Sequence, residues 1–191
     1  MTSEVHPWIS FYLHQGKDHK DRSLLDIWTF TYDELEKDND FIHWLFPLPD
    51  NQQSPNTAPN LSKELITAIE QKSQVQQNLL RSYDILAAFW GFFRDDNHDI
   101  QPSKSFNERS IKWLCQETNC HAKMTQVLTF LTLTGHNQLS ENTCAFLLSH
   151  MNQAGFSFSN VTAITHWMDA ITPSNHLNLT EQEFDPPAQE D

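Results

Sequence analysis

The chain has 191 residues, 38 % of them apolar, and its six Trp and thirteen Phe supply enough burial capacity for one well-packed, aromatic-rich domain. The formal charge is −13, and beyond Lys123 there are seven acids and no Lys or Arg. Such an acidic half argues against nucleic acid, whose phosphates need clustered cations, and equally against docking on anionic membranes.

Four glycines, and nine prolines that sit almost entirely outside the periodic segments, suit helices punctuated by proline-bearing loops. Residues 1–23 open with Trp8, Phe11 and Tyr12 and then turn polar, which reads as an anchored segment followed by a loop. Thr31 and Glu34 form a capping box. The helix or helix pair that follows stops at Phe46, because Pro47 and Pro49 forbid continuation. Asp50 to Asn60 is a polar loop, and Ser62 caps a helix over Leu61 to Ile69.

Val75, Leu79, Tyr83, Leu86, Trp90 and Phe93 recur at alternating steps of four and three, predicting a helix of about five turns with one apolar stripe. Gly91 lies inside that period and reads as a position of close helix approach. A further helix is expected from Ser105 or Asn107, with a second capping box at Ser105 and Glu108 and an inner face of Ile111, Leu114 and Cys115. Another runs from Asn119 to Leu133 and is stopped by Gly135. Ser140 is expected to cap a helix with Cys144, Leu147, Leu148 and Met151 inward, ended by Gly155. Asn160 is expected to cap a last one bearing Val161, Ile164, Trp167 and Ile171, with Pro173 beyond it. Strand-like alternation is scarcely present, and no internal repeat is found. The expected fold is all-α, one compact bundle-like domain of about six or seven helices over residues 1–173. Residues 174–191 are too polar and acidic to repay ordering, so a disordered tail is expected.

Met1 to Ser10 lacks the basic start and apolar stretch of a signal peptide. The longest apolar run, Ile85 to Phe93, is about half a membrane span. Cys115, Cys120 and Cys144 are an odd number without a Cys-x-x-Cys pair, as expected of reduced thiols in a cytoplasmic protein.

The block Tyr32-Asp33-Glu34-Leu35-Glu36 followed by Phe41-Ile42-His43-Trp44-Leu45-Phe46-Pro47-Leu48 resembles the entry motif of the opioid growth factor receptor conserved-domain family. Asn56, Ala58-Pro59 and Leu61 resemble its next loop, and Leu80-Arg81-Ser82-Tyr83 with Phe89-Trp90-Gly91 its central helix, although Tyr is commoner where Trp90 stands. Asn107-Glu108-Arg109 matches an Asn-x-x-Arg stretch imperfectly. Cys120-His121-Ala122-Lys123-Met124-Thr125-Gln126-Val127-Leu128 is similar to a segment in which two Arg usually occupy the places of Lys123 and Gln126. The resemblance spans residues 8–171. It implies a helical domain defined by its fold rather than by a reaction, here without the C-terminal repeats of the vertebrate receptors. If the family uses that basic pair to clamp an anionic partner, Lys123 and Gln126 weaken the clamp, because Lys lacks the fork of Arg and Gln is neutral.

Asp33, Glu34 and Glu36 read as first-turn carboxylates complementing a helix dipole rather than as an acid–base pair. The ten histidines contain no His-x-x-x-His or His-Glu-x-x-His pair, so no metal is expected. Cys115 with His121 lacks a third orienting group, and the glycines form no phosphate-cradling loop, so no cofactor is expected. Tyr83 and His121 are the polar exceptions on inner faces, with Arg109 or Ser82 as expected partners. Tyr83, Trp90, Arg109, His121 and Lys123 are the candidate ligand-binding residues. The first expectation is a non-enzymatic protein- or peptide-binding module with a groove between helices. The alternatives are an enzyme of unassigned reaction using Tyr83, Arg109, His121 and Lys123, and a structural or regulatory homodimer.

Overall fold

The computed structural model describes residues 6–49, 57–157, 159 and 161–172. The expected tail, residues 50–56 of the Asp50–Asn60 loop, the expected cap Asn160 and the proline beyond the last helix, Pro173, lie outside the described residues. Among the described residues ten α-helices follow in order: α1 (Pro7–Tyr12), α2 (Leu24–Trp28), α3 (Tyr32–Lys37), α4 (Phe41–Leu45), α5 (Lys63–Gln71), α6 (Ser73–Trp90), α7 (Phe106–Arg109), α8 (Asn119–Leu133), α9 (Asn137–Gln153) and α10 (Thr162–Ala170). The all-α reading holds. The count exceeds six or seven because α1 to α4 and α7 are helices of four to six residues, too short to show a period in sequence.

Helix α6 forms the spine. Val75, Leu79, Tyr83, Leu86 and Trp90 are all buried on one face, as their spacing predicts. The helix does not reach Phe93. It ends at Trp90, and Gly91 takes the left-handed conformation (φ 97°), with its N–H returned to the carbonyls of Ala87 and Ala88. Gly91 is therefore a helix stop as well as a site of close approach. A Cβ there would come within 2.8 Å of the Arg109 Cβ and 3.1 Å of the Phe106 Cα. Phe92–Arg94 and Ile100–Pro102 pair as a two-stranded antiparallel ribbon, β1 and β2, in register Phe93 to Gln101. This small ribbon is the one sheet among the described residues, and the sequence reading did not place it. Phe92 turns into the core and Phe93 out to solvent, as strand alternation requires. The ribbon is fastened at its turn end from two sides: Arg94 Nη2 donates to Asp84 Oδ2 (3.0 Å) on α6, and Asn142 Nδ2 of α9 donates to the His98 carbonyl (2.9 Å).

Three further local expectations are revised. Ser105 makes no capping bond to the α7 backbone, and its hydroxyl lies against that of Ser103 (3.0 Å). A 3₁₀ turn over Ser110–Lys112 breaks the period after α7, so Ile111 is 70 % exposed and Trp113 takes the inner position. Helix α9 begins one turn before Ser140. That residue is instead an interior hydroxyl, donating to the Leu128 carbonyl (2.9 Å) and accepting from Thr132 (3.0 Å) on α8. The Thr31 capping box, the Ser62 cap and the bounds of α8 agree with the sequence reading.

Helix α8 packs on α9 and α10, while α1, α5 and α7 gather around α6. Aromatic rings join the two groups: Trp8 stacks on Tyr12 (4.1 Å between centroids), and Phe130 of α8 meets both Trp8 and Phe46. Among the described residues no helix is long and apolar enough to cross a membrane.

Candidate functional site

Short helices have unpaired carbonyls at their C-termini, and a buried end must find donors elsewhere. Helices α3 and α4 find theirs in α8. Lys123 Nζ donates to the carbonyls of Leu35 (2.5 Å) and Asp38 (2.9 Å), with a longer contact to Glu36 (3.5 Å), and thereby caps α3. Its ammonium also lies 5.1 Å from the Phe41 ring centre. Burial lowers the Lys123 amine below the ordinary lysine range, while the charges of Asp38 and Glu36 pull against that shift. Three residues on, Gln126 Nε2 donates to the carbonyls of Phe46 (2.8 Å) and Ile42 (3.3 Å) and approaches His43 Nδ1 (3.2 Å). From the other side Trp8 Nε1 donates to the Trp44 carbonyl and the Tyr12 hydroxyl to that of Leu45, both at 2.7 Å. Every carbonyl in the last turn of α4 from Trp44 to Phe46 thus has a side-chain donor.

The α3–α4 junction is clamped by charge as well. Buried Asp18 accepts from the backbone N–H groups of Lys20 and Arg22 and from Arg22 Nε (2.6 Å). Arg22 Nη1 donates on to Asp38 (2.6 Å), and Lys20 pairs with Asp40. Asp18 was not singled out from sequence, and Gln126 was noted only as the neutral replacement of an Arg, not as a cap. The partners of Gln126 lie 80 or more positions away, and only the Asp-x-x-x-Arg spacing of Asp18 and Arg22 gives a local signal.

The five candidate residues do not converge on one pocket. Tyr83 is fully buried, and its hydroxyl bonds Thr143 of α9 (2.6 Å) rather than Arg109 or Ser82; burial raises its phenol. Ser82 instead accepts from Trp28 Nε1 (2.9 Å). Trp90 is buried, and its carbonyl accepts from Trp113 Nε1 (2.8 Å). The Arg109 guanidinium lies over Tyr32 (3.7 Å to the ring centre), next to Phe89, with Nε and Nη2 buried and without a hydrogen-bond partner. Lys123 faces inward as described. His121 alone lines a sizeable cavity. Its Nε2 lies 2.7 Å from the Trp113 carbonyl, and its ring meets Trp167 edge-on (5.4 Å). Burial holds its imidazole below the usual histidine range. Cys115 Sγ contacts the carbonyls of Lys112 and Glu117, so no thiol–imidazole bond to His121 forms.

That cavity, about 410 Å³, is a cleft between α8, α10 and the loop entering α8. Gln116, Glu117 and Thr118 form its rim, His121, Ala122 and Thr125 its α8 wall, and Thr162, Ala163 and His166 its α10 wall. A smaller cavity of about 140 Å³ lies on the other flank of α8 between Asn39, His43, Asn119, Lys123 and Gln126. Exposed Ala122 borders both. Among the described residues no three His, Cys, Asp or Glu side chains cluster in a way that could hold a metal ion.

The opioid growth factor receptor conserved region matches residues 8–176, from the first turn of α1 to beyond α10. The chain belongs to that family. It is similar to the rat opioid growth factor receptor, 33 % identical over 73 residues that make up 38 % of this chain and 12 % of that protein. The mouse receptor is 31 % identical over 75 residues, covering 39 % of this chain and 12 % of its own, and the human receptor 30 % over 73 residues, covering 38 % and 11 %. The matched stretch therefore spans about an eighth of the length of these curated receptors. No solved structure matches it. In this opioid growth factor receptor domain, the Lys123 and Gln126 positions work as inward-facing helix caps. The weakened clamp read from the two replacements goes with this placement, since the Lys123 amine lies inside the fold on main-chain oxygens.

Proposed function

We propose that this domain is a non-enzymatic binding module that takes a protein or peptide segment in the α8–α10 cleft. The observation that carries the reading is the cleft itself. It is a polar-lined recess of about 410 Å³ whose walls are two packed helices, so its shape is held without a ligand. Binding is favoured over catalysis because Tyr83, Arg109, His121 and Lys123 occupy separate surroundings, three of them outside any shared cavity with His121. A general acid–base or nucleophilic site needs its groups within hydrogen-bond reach of one reacting atom. The curated relatives carry the name of receptors for an opioid growth factor. A peptide carboxylate in this cleft would meet no Lys or Arg, so we expect any peptide binding here to be independent of Lys123.

The test is to fill the recess. Ala122 is exposed and borders both cavities, so Ala122→Trp blocks them with little strain in the fold. Partners crosslinked to the parent domain in cell extract should be lost from the variant at an unchanged melting temperature. An undiminished partner set would place binding on another face.

A further inference from the structure

We propose that the α8–α10 cleft seats a cationic side chain, lysine or arginine, of the segment it binds; this deepens the binding-module reading and rests on it. The argument is a count of hydrogens. A carbonyl only accepts, so the 2.7 Å contact between His121 Nε2 and the Trp113 carbonyl places the ring proton on Nε2. Burial keeps the ring neutral, which leaves Nδ1 with a lone pair and no proton. The Thr125 hydroxyl gives its hydrogen to the His121 carbonyl (2.9 Å), so its oxygen remains as an acceptor. Glu117 at the rim is a carboxylate and accepts only. The hydroxyls of Thr118 and Thr162 and the Gln116 amide can turn either way, and Thr118 already accepts from the Cys120 N–H (3.4 Å). His121, Thr125 and Glu117 therefore offer acceptors only, while Gln116, Thr118, Thr162 and His166 can serve either way.

Charge points the same way. Glu117 is the one Asp, Glu, Lys or Arg among the lining residues. No Lys or Arg lines the cleft, and because none follows Lys123, helices α9 and α10 bring none near. An ammonium or guanidinium supplies several donors and a charge opposite to both Glu117 and the net −13 of the chain. A carboxylate would face lone pairs and a like charge. The volume accommodates a long side chain together with adjoining backbone.

The experiment titrates the full-length, ¹⁵N-labelled chain with acetyl-Ala-Arg-Ala-amide and with its neutral citrulline and acidic glutamate counterparts, following backbone amide shifts. The arginine peptide should shift Glu117, Thr118, Ala122, Thr125 and Ala163 saturably and bind about three- to tenfold more tightly than the citrulline peptide. That preference should shrink with added salt and vanish in Glu117→Gln. Equal affinity for arginine and citrulline peptides at the cleft would overturn the cationic preference while leaving the binding cleft intact. Tightest binding of the glutamate peptide would overturn it outright. If none of the three peptides perturbs the cleft, the binding reading itself falls with it.

Discussion

Replacing Lys123 by Met keeps the length and apolar stem of the side chain but removes its three N–H donors. Two of its bonds are short, 2.5 Å to Leu35 and 2.9 Å to Asp38, and the Leu35 residue is only 1 % exposed. A charge-assisted hydrogen bond contributes roughly 1.5–3 kcal/mol, and a buried carbonyl left without a donor costs about 1–3 kcal/mol. Against this, the variant no longer buries an ammonium, which returns part of the loss. The Asp38 carbonyl lies at a partly exposed junction and can be rehydrated. The net expectation is a loss of about 2–4 kcal/mol, or roughly 5–15 °C in melting temperature for a domain of this size. Urea unfolding measures it, and hydrogen exchange should show protection lost first in α3. Lys123→Arg, which keeps the charge and adds donors, should lose much less. If Lys123→Met stays within about 0.5 kcal/mol of the parent, the amine is not a cap and the docking of α3 rests on Leu35 and the Arg22–Asp38 pair instead.

Gln126→Glu replaces the donor that serves Ile42 and Phe46 by a carboxylate against two carbonyls; it should cost about 3 kcal/mol or more by urea melt, whereas Gln126→Arg should fold. Gly91→Ala must hold φ 97° and a Cβ 2.8 Å from that of Arg109, so we expect a loss of more than about 2 kcal/mol, and parent-like stability would refute the left-handed stop. His121, His43 and His136 are all depressed by burial, so the unfolded chain takes up their protons first. Stability is then fully present above about pH 6.5 and falls as the pH drops from there through the folded-state values. Denaturant midpoints at pH 7.5 and pH 5 should differ accordingly, less so in His121→Gln, and a flat profile would remove the claim.

What could be read from sequence was what repeats locally. The stripe on α6 and the bounds of α8 follow from 3.6-residue spacing and a terminal glycine, and the Thr31 and Ser62 caps from hydroxyl-bearing residues at helix entries. The ribbon was masked because Phe93 continued the helical period by coincidence. The turn-forming Asp95-Asp96-Asn97-His98-Asp99 was the overlooked signal, with Asp95 accepting from the N–H groups of Asn97 and Asp99. Among the candidate residues, only His121 lines the larger recess, and Lys123 borders the smaller one. The roles of Tyr83, Lys123 and Gln126 depend on partners 60 to 88 positions away, which no local pattern encodes.

The long reach of those caps has a consequence for biosynthesis. Helices of five or six residues cannot sustain themselves in water, because the nucleation penalty is spread over too few hydrogen bonds. The entry motif therefore stays unformed on the ribosome until Gln126 has left the exit tunnel, although its own residues emerged some 80 positions earlier. Until then Phe41, Trp44 and Phe46 are exposed aromatic surface, a natural target for chaperones. A nascent chain arrested before residue 119 should leave this block sensitive to protease, and one arrested well beyond α8 should protect it.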